Sequence, residues 1–525
     1  MTAPLTALAT PAGLDSPGPA PTLSGIARQR DAQAIALSNH YALQNQEAIP
    51  REAGQSPPTS TDFTSPPAIS IRGLTKRYGS LAALNDLNLD INRGEIFGFL
   101  GLNGAGKTTT IRLLLDLLRP TSGNAFIFGY DCWTQGLEAR ARLGYLPGEL
   151  GLYLDLTGLE TLDFLAGLNR QPVDKRHRQE LCDRLELPRS DLRRRLREYS
   201  TGMKRKLGII QAFQANPPLL ILDEPTEGLD PLMQESFYGP ARRRGSQILP
   251  RGGVMRGAFL LFRLSLKRVW MLLCATGLLL AGFQLLRVYI AASVHEAGEF
   301  GQIAALLPPS VRAILGPSLA SVMSFDGLVC GGFYDLGIVI ALVALAIALA
   351  TLPASEIETG FADLILARPM PRHWLITRTI ALVLFSILLM LFMIMVGTWG
   401  GLALFAPAGV SGPPARQTAS LALNLGLLLL CWSGIAMAFG AARRRGVAGP
   451  ATSLLAFAAL LLDYAQKLWP PLEWIGWLSP FRYFTPFELV MGDPLPVENL
   501  LVLGAIALTG YTLAYFIISQ RDISR

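Results

Sequence analysis

The sequence predicts an α/β domain followed by an all-α membrane domain of six helices, with a disordered tail in front. Three observations predict it. A short, nearly continuous apolar run, GEIFGFLGL, opens onto a glycine loop and then onto a helical pattern that stops at Pro120. From about Val269 onward, long apolar stretches recur at the length a helix needs to cross a hydrocarbon core, about 20 residues. Half of the residues are hydrophobic and only 16% are charged, which is little charge for a water-soluble chain of 525 residues. That length also asks for more than one domain.

Residues 1–68 carry ten prolines among many Ala, Ser and Thr, with little hydrophobic periodicity. Such a segment buries too little apolar surface to offset its ordering entropy, so it reads as disordered. It has no basic start followed by an apolar run, so it does not read as a secretory signal. The α/β domain is assigned to residues 69–248. ISIRGLTKRYG reads as a strand and turn, LAALNDLNLDI as a strand pair, and GEIFGFLGL as a buried strand. A mostly helical stretch follows over 157–215, and LLILD reads as a second buried strand.

The membrane domain is assigned to residues 249–525. Its candidate spans are Val269–Ile290, Leu336–Leu352, Thr379–Leu404, Ala419–Phe439, Gly446–Ala465 and Asn499–Ile518. The second is slightly short and would either tilt less or extend through Phe333–Asp335. Basic residues gather before span one, between two and three (Arg368, Arg372, Arg378), between four and five (Arg443, Arg444, Arg445), and after six (Arg521, Arg525). Arginine and lysine favour cytoplasmic loops, so both termini and the α/β domain are expected in the cytoplasm, with a multi-pass chain in the plasma membrane. Arg256–Arg268 alternates basic and apolar residues. It reads either as a helix lying in the interface or as a plain extension of span one. WPPLEWIGWLSPFRYFTPF, with its Trp, Tyr and Pro, suits short helices or a re-entrant turn at the outer interface.

The net charge of +7 is no nucleic-acid footprint. The clusters Arg193–Arg195 and Arg242–Arg244 lack interleaved aromatics and suit solvated helix faces. The five cysteines, Cys132, Cys182, Cys274, Cys330 and Cys431, are scattered without a CxxC pair, so neither a metal site nor a disulfide framework follows.

The chemistry lies in three short stretches. Gly101-Leu102-Asn103-Gly104-Ala105-Gly106-Lys107-Thr108-Thr109 fills GxxxxGK[ST]. Its glycines let backbone N–H groups turn inward around phosphate oxygens, Lys107 reaches the β/γ-phosphates, and the Thr108 hydroxyl suits Mg²⁺. Asp223 ends the apolar strand LLILD, where a carboxylate faces the metal in a phosphate-loop fold, and Glu224 follows in position to polarise water. ATP and Mg²⁺ are the cofactors this implies.

Together with YSTGM at 199–203 and EPTEGLDP at 224–231, these residues resemble the ATPase of ABC transporters over 69–232. The resemblance implies an α/β P-loop ATPase domain, here an incomplete ABC cassette, and a dimer of cassettes. In such a dimer Ser200 and Gly202 of one cassette contact the γ-phosphate held by the other, and Gly228-Leu229-Asp230 lies across the interface. Tyr78 matches the family's adenine-stacking aromatic; an aromatic turn residue is the other reading. Residues 256–525 resemble the six-span permease of type-2 ABC exporters, on Glu356-Ile-Glu358-Thr-Gly360 and the Arg368-Pro369-x-Pro371-Arg372 stretch. There the segment between spans two and three docks on the cassette. SPFRYFTPF before the last span adds to this likeness. The implied function is ATP-dependent export of a small molecule or lipid across a lipid bilayer by a homodimer or a heterodimer with a related subunit; nucleic acid is not an expected partner.

Two departures from the family pattern bear on turnover. Gly148 stands where the family places a glutamine that contacts Mg²⁺ and water, with Glu149 next to it. A switch histidine is expected about thirty residues after GLDP, but the four histidines are His40, His177, His295 and His373. The cassette is therefore expected to lack its C-terminal part, as a joining of two neighbouring genes near Met255 would produce. The alternative function is an ATP-binding membrane protein with impaired hydrolysis, either a regulator or a non-functional fusion.

Overall fold

The computed structural model describes residues 66–102, 104–169, 174–224, 254–297, 322–410, 412–442 and 445–522. Asn103, Asp230 and the GLD stretch, the end of the cassette at 225–253, and nearly all of the tail expected to be disordered lie outside these residues. Residues 96–107 fall in a different unit of the chain from 67–95 and 108–525.

The cassette begins with β1 (Ile69–Tyr78) and β2 (Leu81–Ile91), an antiparallel hairpin turning at Gly79-Ser80. The stretch LAALNDLNLDI, expected as a strand pair, is thus a single strand. Its Asn-Asp-Leu-Asn centre, which reads as a turn, is absorbed by register shifts in the ladder, with Asp86 at φ 50°. Next come α1 (Lys107–Leu114), β3 (Ser122–Ile127), β4 (Tyr130–Asp131), α2 (Gly136–Arg140) and β5 (Leu143–Leu146). The helical part holds α3 (Gly158–Gly167), α4 (Lys175–Arg184), α5 (Arg189–Leu192) and α6 (Thr201–Phe213), after which β6 (Leu219–Leu222) closes the described cassette. One sheet is antiparallel in the order β2-β1-β3-β4, and the other is the parallel pair β5-β6.

The run GEIFGFLGL differs from its expectation. It is not part of either sheet, and Ile96, Leu100 and Leu102 are 72%, 87% and 78% exposed. An apolar pattern supplies the tendency to be buried, but a central strand also needs ladder partners for its amides, and the sheets of the described residues do not include it.

The membrane half starts with α7 (Val254–Ala297), followed by α8 (Phe325–Cys330), α9 (Leu336–Ala350), α10 (Leu352–Glu358), α11 (Phe361–Leu366) and α12 (Trp374–Phe405). Then come α13 (Ala415–Ala442), α14 (Arg445–Leu468), two 3₁₀ turns over 470–483, α15 (Pro486–Met491) and α16 (Val497–Gln520). Among the described residues, six helical stretches are long and apolar enough to cross a membrane. The second gains its length from short helices on both sides of α9, whose first turn is capped by the Asp335 carboxylate accepting from Gly337 and Ile338.

Small residues allow close helix crossings. α7 packs along α12 where a Cβ on Gly397 would come 2.5 Å from the Ala281 carbonyl. α13 meets α16 where Gly434 and Gly510 face each other backbone to backbone. Large apolar side chains such as Met271, Leu278 and Leu508 point outward, as lipid-facing positions would. Arg256–Arg268 is no separate interface helix, because α7 is continuous over 44 residues. Its first turns lie on the cassette: Leu261 is fully buried, Lys267 pairs with Glu160, and Arg268 lies 4.7 Å from the Tyr153 ring centroid. The alternation of basic and apolar residues serves a protein surface there.

Candidate nucleotide site and its link to the membrane half

The glycine loop has its own internal geometry. Gly104 and Gly106 sit at φ +86° and +84°, a conformation that side-chain-bearing residues rarely adopt and one that turns successive amides to one side. Ala105 donates its N–H to the Leu102 carbonyl at 3.0 Å. The Lys107 ammonium folds back to the carbonyls of Gly101 at 2.5 Å and Leu102 at 3.1 Å. It is thereby held against the loop that would carry phosphate.

Thr108 and Thr109 follow in the first turn of α1. The Thr108 hydroxyl lies 3.4 Å from Asp223 Oδ2. Two oxygens bound side by side to an octahedral Mg²⁺ at 2.0–2.1 Å stand about 3 Å apart, so this pair fits the ion with a shift of a few tenths of an ångström. Asp223 is fixed in turn, its N–H donating to the Leu146 carbonyl at 2.9 Å as β6 runs out beside β5. Glu224 is exposed and sits at φ 50°, a left-handed conformation costly for a side-chain-bearing residue. Gly148 faces both carboxylates. A Cβ there would stand 3.5 Å from Asp223 Oδ2 and 3.8 Å from Glu224 Oε2. A glutamine at 148 would therefore have reached this place, and glycine leaves it without that amide.

Ser200 is the N-cap of α6, its side chain accepting from the Met203 N–H at 3.2 Å, with Gly202 in the first turn. That role needs no ligand, yet the same helix start presents free amides that suit an anion. Tyr78 ends β1 and is 43% exposed, with the Lys76 ammonium 5.0 Å from its ring centroid. Burial raises its phenol above the ordinary value, and the Asp522 carboxylate adds to this.

Arg205, in the basic run Lys204-Arg205-Lys206 after YSTGM, also belongs to this end of the site. It is buried, and its guanidinium donates to the carbonyls of Pro147 at 2.7 Å, Gly148 at 2.9 Å, Asp223 at 2.9 Å and Glu224.

The segment between spans two and three docks on this cassette, as the resemblance implied. Gly151 lies so close to the turn before α11 that a Cβ on it would come 2.1 Å from the Thr359 carbonyl oxygen. The Phe361 ring lies against Tyr153 at 3.8 Å and stacks on Phe164 at 5.9 Å between centroids. The Tyr153 hydroxyl donates to Glu356, whose other oxygen accepts from Arg378 at 2.6 Å. Burial, then the Glu356 carboxylate, pushes the Tyr153 phenol far up. Arg368 donates to Asn169 at 3.2 Å and to the carbonyl and side chain of Gln211 on α6. Burial lowers its pKa to about 10. Asp116 accepts from Arg140 at 3.1 Å and Arg372 at 3.3 Å. Arg140 reaches on to the carbonyls of Arg368 and Met370. Asp363 faces Arg112 at 3.5 Å, and burial raises its carboxyl to about 6, the arginine opposing. A further tie lies past α16, where Asp522 accepts from Lys76 at 2.5 Å and from the Arg119 N–H at 2.8 Å.

Residues 84–227 match the family described as ABC transporter. Over 186 residues the chain is 41% identical to the bacitracin transport ATP-binding protein BcrA of Bacillus licheniformis, covering 34% of this chain and 60% of that protein. It is 39% identical over 177 residues to the daunorubicin resistance ATP-binding protein DrrA3 of Streptomyces coeruleorubidus, covering 33% and 56%. It is 37% identical over 174 residues to the probable multidrug ABC transporter ATP-binding protein YbhF of Escherichia coli, covering 32% and 30%. The match thus spans between about a third and three fifths of these relatives' lengths. A solved ATP-binding subunit of an ABC transporter aligns over 33% of this chain and 73% of its own, at 32% identity and a TM-score of 0.31. Residues 84–227 thus belong to an ABC transporter ATP-binding domain, and six helices able to cross a membrane follow it among the described residues.

Proposed function

We propose that this chain is half of an ATP-dependent exporter of the plasma membrane, working as a homodimer or with a related subunit. The observation that carries the reading is the buried polar contact of the 352–378 segment with the cassette, centred on Tyr153–Glu356–Arg378 and Gln211–Arg368. A membrane domain fastened to an ATP-binding domain by buried charges moves when that domain changes shape. In this mechanism the phosphate loop and Lys107 hold the β/γ-phosphates, and Tyr78 stacks on the base. Thr108 and Asp223 hold Mg²⁺, which would neutralise charge developing on the phosphates. Glu224 polarises the attacking water. Ser200 and Gly202 approach the γ-phosphate held by a second cassette, with Asp230 at that junction. BcrA and DrrA3, named for bacitracin transport and daunorubicin resistance, support export of a small molecule or lipid.

The cassette described is short of parts that would raise turnover. Gly148 brings no side-chain amide to Asp223 and Glu224, and the sequence between Arg178 and Val294 holds no histidine. Each missing donor to developing charge costs roughly 10²–10³ in rate. A membrane protein that binds ATP and hydrolyses it very slowly is the second reading, and these two observations favour it. ATPase turnover of purified chain in lipid nanodiscs separates the two. We expect turnover at least a hundredfold below that of an intact ABC exporter under the same conditions. Ordinary turnover, abolished by Glu224→Gln, would sink the slow reading and leave the exporter.

The arginine bias supports a topology with both termini and the cassette in the cytoplasm. Single cysteines introduced at 310 and 444 test this in intact cells. An impermeant maleimide should label position 310 and spare 444; the reverse pattern would invert the topology.

A further inference from the structure

We infer that Arg205 is a positioning residue for the metal-and-water end of the nucleotide site, fixing Gly148, Asp223 and Glu224 through their backbones where position 148 carries no side chain. The inference rests on the nucleotide-binding part of the reading above. Arg205 stands one turn into α6, behind its Ser200 cap. Its side chain is only 4% exposed. A buried guanidinium loses much hydration and is retained only where enough acceptors replace water. Here the acceptors are four carbonyls, two on each side of the Thr108–Asp223 pair's neighbourhood: Pro147 and Gly148 as the chain leaves β5, Asp223 and Glu224 as it leaves β6. The planar fork of arginine, with five N–H donors, is the one side chain able to bridge both pairs at once.

The consequence for the metal follows from the geometry. β5 and β6 hold one another only as far as Leu146 and Leu222. Past that point the described link between the two strand ends is the Asp223 N–H on the Leu146 carbonyl, together with the Arg205 fork. Asp223 must stay about 3 Å from the Thr108 hydroxyl to share an ion with it. Charged donors to carbonyls are short and strong, so the fork limits how far Asp223 and Glu224 drift. The opposite end of α6 is fastened too. Gln211 donates to the Tyr145 carbonyl at 2.6 Å and takes Arg368 from the membrane half. The helix that holds the carboxylates is thus the one the membrane domain grips.

The test compares affinity for a fluorescent ATP analogue with and without Mg²⁺, on the full chain in detergent. In the wild type Mg²⁺ should raise affinity. Arg205→Ala should keep metal-free affinity within about twofold, since the phosphate loop carries it, and lose at least threefold of the Mg²⁺-dependent gain. Arg205→Lys keeps the charge but not the fork and should fall between the two. An unchanged Mg²⁺ gain in Arg205→Ala overturns the positioning role while leaving nucleotide binding intact. Equal loss of metal-free and Mg²⁺ affinity in both variants marks Arg205 as a strut of the fold and also overturns it. Absence of binding by the wild type itself defeats the nucleotide reading and this inference together.

Discussion

Lys107→Ala is expected to weaken Mg-ATP binding by about 10- to 100-fold. The ammonium is the one positive charge on the glycine loop itself, and its removal costs a charge-assisted hydrogen bond worth about 1.5–3 kcal/mol. In this chain the loop stands ready for it, with Lys107 on the Gly101 and Leu102 carbonyls and Gly104 and Gly106 in left-handed conformations. Removing the side chain leaves those carbonyls to water, because the loop is exposed, so little fold stability should be lost. A fluorescent ATP analogue titrated into detergent-purified chain gives the number. The melting temperature without nucleotide should stay within a degree or two of the wild type. Unchanged affinity would remove the phosphate-loop assignment, whatever the membrane half does.

How far the sequence revealed this depends on the distance over which each feature is made. The glycine loop was legible because its glycines, lysine and threonine act on one another within nine residues. Asp223 and Glu224 were legible because they end an apolar strand at a known place. The six membrane helices followed from length and hydropathy alone, and even the short second one was found with Phe333–Asp335 at its start. What failed were features made by partners far along the chain. GEIFGFLGL has the composition of a strand, yet a strand exists only with neighbours, and composition does not count them. Nothing in the run Lys204-Arg205-Lys206 singles out Arg205, because its carbonyl partners lie 18 to 58 residues away. For Arg256–Arg268 the alternation left open an interface helix or a plain extension of span one, because a protein surface and a membrane surface ask for the same pattern; the continuous helix is the extension, and its contacts with Glu160 and Tyr153 show which surface it serves. The docking segment was found by resemblance, but nothing in EIETG says that Glu356 would face Tyr153 and Arg378 rather than water.

That carboxylate gives the second large effect. Glu356 and Arg378 are both buried, 2% and 3% exposed, and Glu356 accepts from Arg378 and Tyr153 together. Removing one partner of a buried pair leaves the other charge without compensation and costs about 3–5 kcal/mol. Glu356→Ala should therefore lower the thermal unfolding midpoint of the purified chain by several degrees. Tyr153 would lose its acceptor in the same step, at the surface where α11 and the cassette meet. Glu356→Gln keeps an acceptor for both donors and should lose less. Arg378→Met paired with Glu356→Ala removes both charges and keeps the volume of the arginine stem. It should recover a large part of the loss, because apolar replacement of a whole buried pair is often neutral. The double variant separates two roles of the contact. If it regains the midpoint but the membrane half no longer answers nucleotide, read as Mg-ATP protection of a cysteine introduced into α12 from labelling, the ion pair transmits between the halves. If it regains both, the pair serves to hold the surfaces together and the apolar packing of Phe361 on Tyr153 and Phe164 carries the movement. A Glu356→Ala chain as stable as the wild type would show that the carboxylate is not buried against Arg378 at all, and the docking described here would have to be abandoned.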